Sequence, residues 1–159
     1  FDFRIFFQGI ADVDVFNEQR RGLEGMRGAN GGPPDANQLK TVLNAWSPTN
    51  TGSDIPAPRQ GDVALNSRIS DRWVEDASFF RLKSVQLGYT LPESFLKKLT
   101  SSEDGITLRF YVSAQNLFTI TSYKGFDPEL GSFNPSTAGV DGGVYPQPRK
   151  YFGGLQLTF

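Results

Sequence analysis

The chain has 159 residues, a formal net charge of −1, and neither histidine nor cysteine. Disulfide and thiol chemistry, the commonest general base and the commonest metal ligand are therefore absent, and no run of Lys or Arg offers a track for nucleic acid. Only 38% of residues are hydrophobic, and no apolar run approaches the roughly 18 residues of a transmembrane helix, a limit that does not bear on strands apolar on one face only.

The first predicted element is a strand over Phe1–Ile10. Phe1, Phe3, Ile5 and Phe7 fall on one face and Asp2, Arg4 and Gln8 on the other, with Phe6 breaking the polar set. The chain opens inside this alternation with no initiator Met, so it reads as one piece of a longer polypeptide. Nearly seventy residues follow, Ala11 to Ser78, with the turn-rich stretches GANGGPPDAN and SPTNTGSDIPAPRQG. Short helices are expected around Phe16–Met26 and Ala36–Trp46. Asp12 and Asp14 carry oxygens of the kind calcium takes, but no EF-hand spacing surrounds them. GANGGPPDAN lacks the Gly-Lys-Ser/Thr ending of a phosphate loop.

A second strand is predicted over about Phe79–Leu91. Val85, Leu87, Tyr89 and Leu91 alternate with Ser84, Gln86, Gly88 and Thr90, but at its start Phe80 and Leu82 are the apolar positions and Arg81 and Lys83 the charged ones. Such a flip of parity requires a bulge or a stretch outside the membrane. Pro92–Gly105 reads as a helical turn and a loop. The third strand, about Ile106–Ile120, sets Ile106, Leu108, Phe110, Val112 and Ala114 against Thr107, Arg109, Tyr111, Ser113 and Gln115. A Gly- and Pro-rich loop over about Thr121–Pro148 should be irregular. Within it, Asp127-Pro128-Glu129 suits loop ordering better than acid–base work. The last strand, Arg149–Phe159, places Tyr151, Leu155, Leu157 and Phe159 against Gly154, Gln156 and Thr158.

Connections alternate long and short, as in an antiparallel barrel whose outer loops are long and inner turns short. A structureless loop near seventy residues is unusual in a compact soluble domain. Four strands leave two edges that hydrocarbon does not tolerate, so a membrane sheet here needs further polypeptide to complete its wall. The alternative is a soluble β-sandwich whose apolar faces pack on a second layer, binding carbohydrate through loop aromatics. A hydrolase using Asp127 or Glu129 is the weakest option, since nothing arranges two carboxylates in different environments. The chain is not expected to be an enzyme, and no cofactor or metal motif is present.

Several blocks carry a family resemblance: RLKSVQLGYTLPESFLKKL (Arg81–Leu99), LRFYVSAQNLFTITSYKGFDPEL (Leu108–Leu130) and GVDGGVYPQPRKYFGGLQLTF (Gly139–Phe159), with looser matches in FFQGIADVDVFN and around Trp46–Pro56. Together they resemble the C-terminal end of the SusC/RagA-type TonB-dependent transporters of Gram-negative outer membranes. The resemblance covers nearly the whole chain, although Ala11–Asn17 and Gly22–Asn37 match poorly.

The resemblance implies an all-β fold: the last four or so strands of a large antiparallel transmembrane barrel of about 22 strands with a plugged lumen and long extracellular loops. Residues 1–159 would be the C-terminal part of that barrel domain, with strands at about 1–10, 79–91, 106–120 and 149–159, outer loops 11–78 and 121–148, and a periplasmic turn 92–105. The plug would lie elsewhere. The implied function is uptake of oligosaccharides or peptides. The implied partners are the remainder of the barrel and plug, a SusD-type surface lipoprotein, the TonB complex reached through N-terminal sequence, and the lipid bilayer. Under this reading Val85, Leu87, Leu108, Phe110, Val112, Leu155 and Leu157 face lipid. Tyr89, Tyr151 and Phe159 sit in interfacial aromatic belts, and Phe159 doubles as the barrel-assembly terminus. Ser84, Gln86, Arg109, Tyr111 and Gln115 face the lumen and plug. Trp46, Trp73, Tyr123 and Phe126 are candidate loop contacts for ligand or lid, with pinning of the loops' own core as the competing role.

Overall fold

The computed structural model describes residues 1–25, 37–59, 62, 64–100, 106–130 and 135–159, without the side chains of 97–100 and 135. Most of GANGGPPDAN, the far end of the helix expected to reach Met26, and Ala36 lie outside the described residues. The elements in order are β1 (Asp2–Ile10), β2 (Asp14–Asn17), α1 (Glu18–Glu24), β3 (Val74–Asp76), β4 (Phe79–Thr90), α2 (Glu93–Thr100), β5 (Thr107–Gln115), β6 (Thr119–Thr121), β7 (Val140–Asp141) and β8 (Lys150–Thr158). The chain divides into two compact units: Phe1–Ile10, Phe79–Ile120 and Gln147–Phe159 form one, and Ala11–Ser78 with Thr121–Pro146 forms the other.

The first unit is an antiparallel sheet in the order β1-β4-β5-β8, with β6 also pairing β4. Among the described residues β1 and β8 each pair on one side only, so the sheet is open. The parity break has a clear origin. Phe6 lies opposite Ser84 and Phe7 opposite Leu82, so the register skips Lys83. This bulge returns Phe80 and Leu82 to the face of Phe7, and the Phe7 and Phe80 rings stack at 5.1 Å. Without it, Arg81 would project into the apolar set. Instead Arg81 is buried, donates to Thr119 Oγ1 at 2.7 Å and lies over the Phe79 ring.

The third predicted strand is interrupted where Asn116 adopts φ 53°, a left-handed conformation that Asn tolerates better than most residues. Asn116 N–H donates to the Lys83 carbonyl and Leu82 N–H to the Phe118 carbonyl, so β5 and β6 are one strand kinked at the level of the β4 bulge. In α2, Pro92 stands just before the first turn, where a missing N–H costs nothing, and Leu96 is buried.

The second unit is smaller in its elements and rich in polar contacts. The helix expected from Phe16 starts later, because Phe16 belongs to β2 and Asn17 caps α1 by accepting from Arg20 N at 2.8 Å. The helix expected over Ala36–Trp46 is a single 3-10 turn, Lys40–Asn44, with no side-chain cap; adjacent β-branched Thr41 and Val42 also disfavour an α-helix. The loop expected to be irregular contributes a strand. β2 pairs β3 antiparallel and β7 in parallel, joining segments from both long connections. Val15, Ala77 and Tyr123 form the apolar centre, with Val13 and Leu130 against it. The base of the unit is closed by Ala77 N–H donating to the Val13 carbonyl and Asp12 N–H donating to Ser78 Oγ at 3.1 Å.

Candidate functional site

Register fixes which side chains share a face of the four-stranded sheet, since residues directly opposite in antiparallel strands project the same way. One set of rows runs Ile5–Val85–Ala114–Tyr151, Phe3–Leu87–Val112–Gly153, Tyr89–Phe110–Leu155 and Leu108–Leu157. All seven residues predicted to face lipid lie on this one side, together with Tyr89 and Tyr151. Val112 is 61% exposed and Leu155 69%. Phe1 packs on Tyr89 with ring centroids 4.6 Å apart. Gly153, with nothing within 4 Å of where its Cβ would be, helps leave an open apolar depression of ≈ 470 Å³ over Leu87, Val112 and Leu155. A single sheet with this many exposed aliphatic and aromatic groups exceeds what scattered surface apolarity explains.

The other side carries the rows Phe6–Ser84–Gln115–Lys150, Arg4–Gln86–Ser113–Phe152, Asp2–Gly88–Tyr111–Gly154 and Thr90–Arg109–Gln156. Ser84, Gln86, Arg109, Tyr111 and Gln115, predicted to face a lumen, all belong to it. Phe6 and Phe152 are its exposed apolar members. Arg109 makes a two-pronged ion pair with Asp2, Nε to Oδ2 at 2.9 Å and Nη2 to Oδ1 at 2.6 Å, across the intervening β4. Sequence reasoning put both residues on the polar face but did not pair them, because they are 107 positions apart.

In the second unit the four candidate aromatics separate. Trp73 is 1% exposed, its indole N–H donates to the Arg68 carbonyl at 3.0 Å, and the Arg20 and Arg72 guanidinium groups lie over its ring at 5.5 and 5.1 Å. Tyr123 is buried, with its hydroxyl donating to Asp141 Oδ2 at 2.6 Å. Burial, then that hydrogen bond, raise the Tyr123 hydroxyl far above its usual range. Both rings are packed within the second unit, the arrangement that the competing role of pinning the loop core requires. Phe126 remains 59% exposed and Trp46 partly exposed. Asp127 Oδ1 accepts from Glu129 N at 2.9 Å, an Asx turn that orders this stretch.

The polar core around Trp73 was not foreseen. Buried Glu24 accepts from Arg20 Nε at 2.7 Å and Arg72 Nη2 at 2.6 Å, and Glu75 pairs with Arg20 and accepts from Lys124 N at 3.1 Å. Asp141, fully buried, also accepts from the N–H groups of Gly143 and Val144. Around Trp73 the i, i+4 pair Arg20–Glu24 is visible locally, while Arg72, Glu75 and Lys124 join it from distant segments. Among the described residues no group of three His, Cys, Asp or Glu is placed to hold a metal ion.

No family model matches the chain. It is 39% identical, over its full length, to TonB-dependent receptor P3 of Formosa agariphila, and 34% identical over 73% of its length to TonB-dependent receptor SusC of Bacteroides thetaiotaomicron. The first of these relatives is covered to 15% of its length and the second to 10%. Among solved structures, the RagAB peptide importer in its closed-closed state superimposes with a TM-score of 0.76 at 34% identity, covering 99% of this chain and 15% of that one. The open-open state of the same importer gives 0.73. The predominantly stranded architecture thus matches a fragment of such a protein, and the chain is homologous to TonB-dependent receptors, SusC among them, and structurally similar to RagAB.

Proposed function

We propose that the four-stranded sheet is part of the wall of an outer-membrane barrel, the C-terminal part of one, and that the second unit forms its extracellular loops. In this reading Val85, Leu87, Leu108, Phe110, Val112, Leu155 and Leu157 meet lipid, while Ser84, Gln86, Arg109, Tyr111 and Gln115 meet the lumen or a plug. Tyr89, Tyr151 and Phe159 lie in the interfacial belts. The whole protein is a TonB-dependent importer of oligosaccharides or peptides in a Gram-negative outer membrane, working with a SusD-type lipoprotein and energised through a TonB complex.

The observation that carries this reading is the two-faced sheet with both edges open. Dimensions support it. β4 has 12 residues, about 36 Å at roughly 3.3 Å per residue; tilted at about 40°, it rises some 28 Å, against an apolar band of about 25 Å in such barrels. The depression at Gly153 suits a lipid tail. A soluble sandwich would need a second layer over Leu87, Val112 and Leu155, which remain uncovered.

The test uses the absence of cysteine from these 159 residues, with any cysteine elsewhere in the intact protein first replaced by serine. Single cysteines are placed at each position from 110 to 115 of the intact protein in membranes. Positions 110 and 112 should react with a bilayer-soluble maleimide and resist a charged aqueous one, with 111, 113 and 115 doing the reverse. Uniform aqueous reactivity would refute the membrane assignment. Uptake is tested separately, by comparing peptide and oligosaccharide mixtures recovered in cells with and without the intact protein.

A further inference from the structure

On the polar face, two glycines occupy places where a side chain would collide with a neighbour's. A Cβ on Gly88 would strike the Asp2 carboxylate and the Arg109 guanidinium, and one on Gly154 would strike the Tyr111 ring. Neither glycine has a positive φ, so backbone freedom does not explain them. They share a row, Asp2–Gly88–Tyr111–Gly154, in which side chain and bare backbone alternate across all four strands. Arg109, one row away, lies flat over Gly88 to reach Asp2 at 2.6 Å, and its guanidinium is 5.4 Å from the Tyr111 ring centroid. Tyr111 lies in the other direction, over Gly154.

We propose that Asp2, Arg109, Tyr111 and Gly154 form a single lateral tie that couples the two edge strands, β1 and β8, energetically across the sheet. Each link has its own physical basis: a bidentate ion pair, a cation over an aromatic face, and a ring seated on a glycine. Removing Asp2 frees the guanidinium, which stops holding the Tyr111 ring from one side, and the ring's seat on Gly154 then matters less. Asp2 and Gly154 are three strand spacings apart, about 14 Å at roughly 4.8 Å per spacing. Sites at that distance with no shared partners ordinarily act additively. The tie holds whichever medium the apolar face meets, so its failure and that of the membrane reading are distinguishable.

The experiment is a double-mutant cycle in the intact protein, read as the temperature at which the folded, faster-migrating species converts to the unfolded one on a gel. Asp2→Asn and Gly154→Ala should each lower the midpoint by several degrees, and Gly154→Ala should lose at least half of its effect once Asp2 is Asn. A control cycle of Asp2→Asn with Thr158→Ala, on the same face of β8 but outside the row, should add. Additivity of Asp2 with Gly154 overturns the proposal, as does equal non-additivity in the control. Should Gly154→Ala prevent folding, Tyr111→Leu takes its place in the cycle with the same expectation, and additivity there overturns the tie.

Discussion

Replacing Val112 by Lys tests the two-faced sheet at its most informative position. Val112 is the sixth residue of the nine in β5, flanked across strands by Leu87 and Gly153, and 61% exposed. Its surroundings within the sheet are apolar and hold no counter-charge. At a bilayer midplane a lysine on the lipid face costs about 2–4 kcal/mol, roughly a thirty- to nearly thousand-fold loss in the folding equilibrium at about 1.4 kcal/mol per factor of ten. Ser113, next in sequence, projects to the opposite side beside Gln86 and Phe152, and Ser113→Lys should cost less than about 1 kcal/mol, in line with changes away from buried or strained features. The assay is urea unfolding of the intact protein in phosphatidylcholine vesicles, followed by the heat-modifiable gel shift, with both variants compared at the same urea concentrations. Equal costs at 112 and 113, or a lysine at 112 tolerated without a shift in midpoint, would refute the assignment of that face to hydrocarbon.

Deleting Lys83 removes the extra residue the register skips, so the strand should become regular with Phe79–Leu82, Arg81 included, on their present faces, and the folded species should persist on the same gel; its loss would count against the bulge. Trp73→Ala empties a buried site held by two guanidinium groups, and a loss of about 3–5 kcal/mol should appear as faster protease cleavage within Ala11–Ser78 while β4 and β5 stay protected. Tyr123 sets an alkaline limit. Its proton is held in the folded state but leaves the unfolded chain near pH 10. The associated stability is therefore complete below about pH 10 and declines as pH rises above it. In Tyr123→Phe the fall in thermal midpoint between pH 10 and 12 should be shallower, and an unchanged slope would count against the buried Tyr123–Asp141 bond.

The alternation made β1, β4, β5 and β8 legible because a side-chain period of two is a local property, visible in ten residues without knowing the partner strand. The bulge at Lys83 was legible for the same reason, as a change of phase between Leu82 and Val85. The small sheet of β2, β3 and β7 was not, since strands of two to four residues are too short to show a period and their pairing joins residues 16, 74 and 140. Trp73 and Tyr123 resembled exposed loop aromatics, because burial in a loop core depends on distant partners such as Arg20 and Asp141. The Asp2–Arg109 pair was hidden in the same way: each residue announces its face, but only the register of three strands brings them together.

The two bonds at the base of the second unit, from Ala77 to Val13 and from Asp12 to Ser78, bear on the order in which the molecule assembles. β1 and β4 are neighbours in the sheet yet are separated in the chain by the whole stretch from Ala11 to Ser78. Bringing the ends of some seventy flexible residues together costs about 4 kcal/mol in chain entropy before any strand pairing compensates for it, against about 1 kcal/mol for a four-residue turn. If the loop unit closes first around Val15, Ala77 and Tyr123, that search is over before β1 and β4 meet, and Ile10 arrives beside Phe79 as though joined by a tight turn. The long excursion then acts as a clasp that sets the rate at which the wall zips, so mutations in the loop core should slow strand pairing far from where they lie.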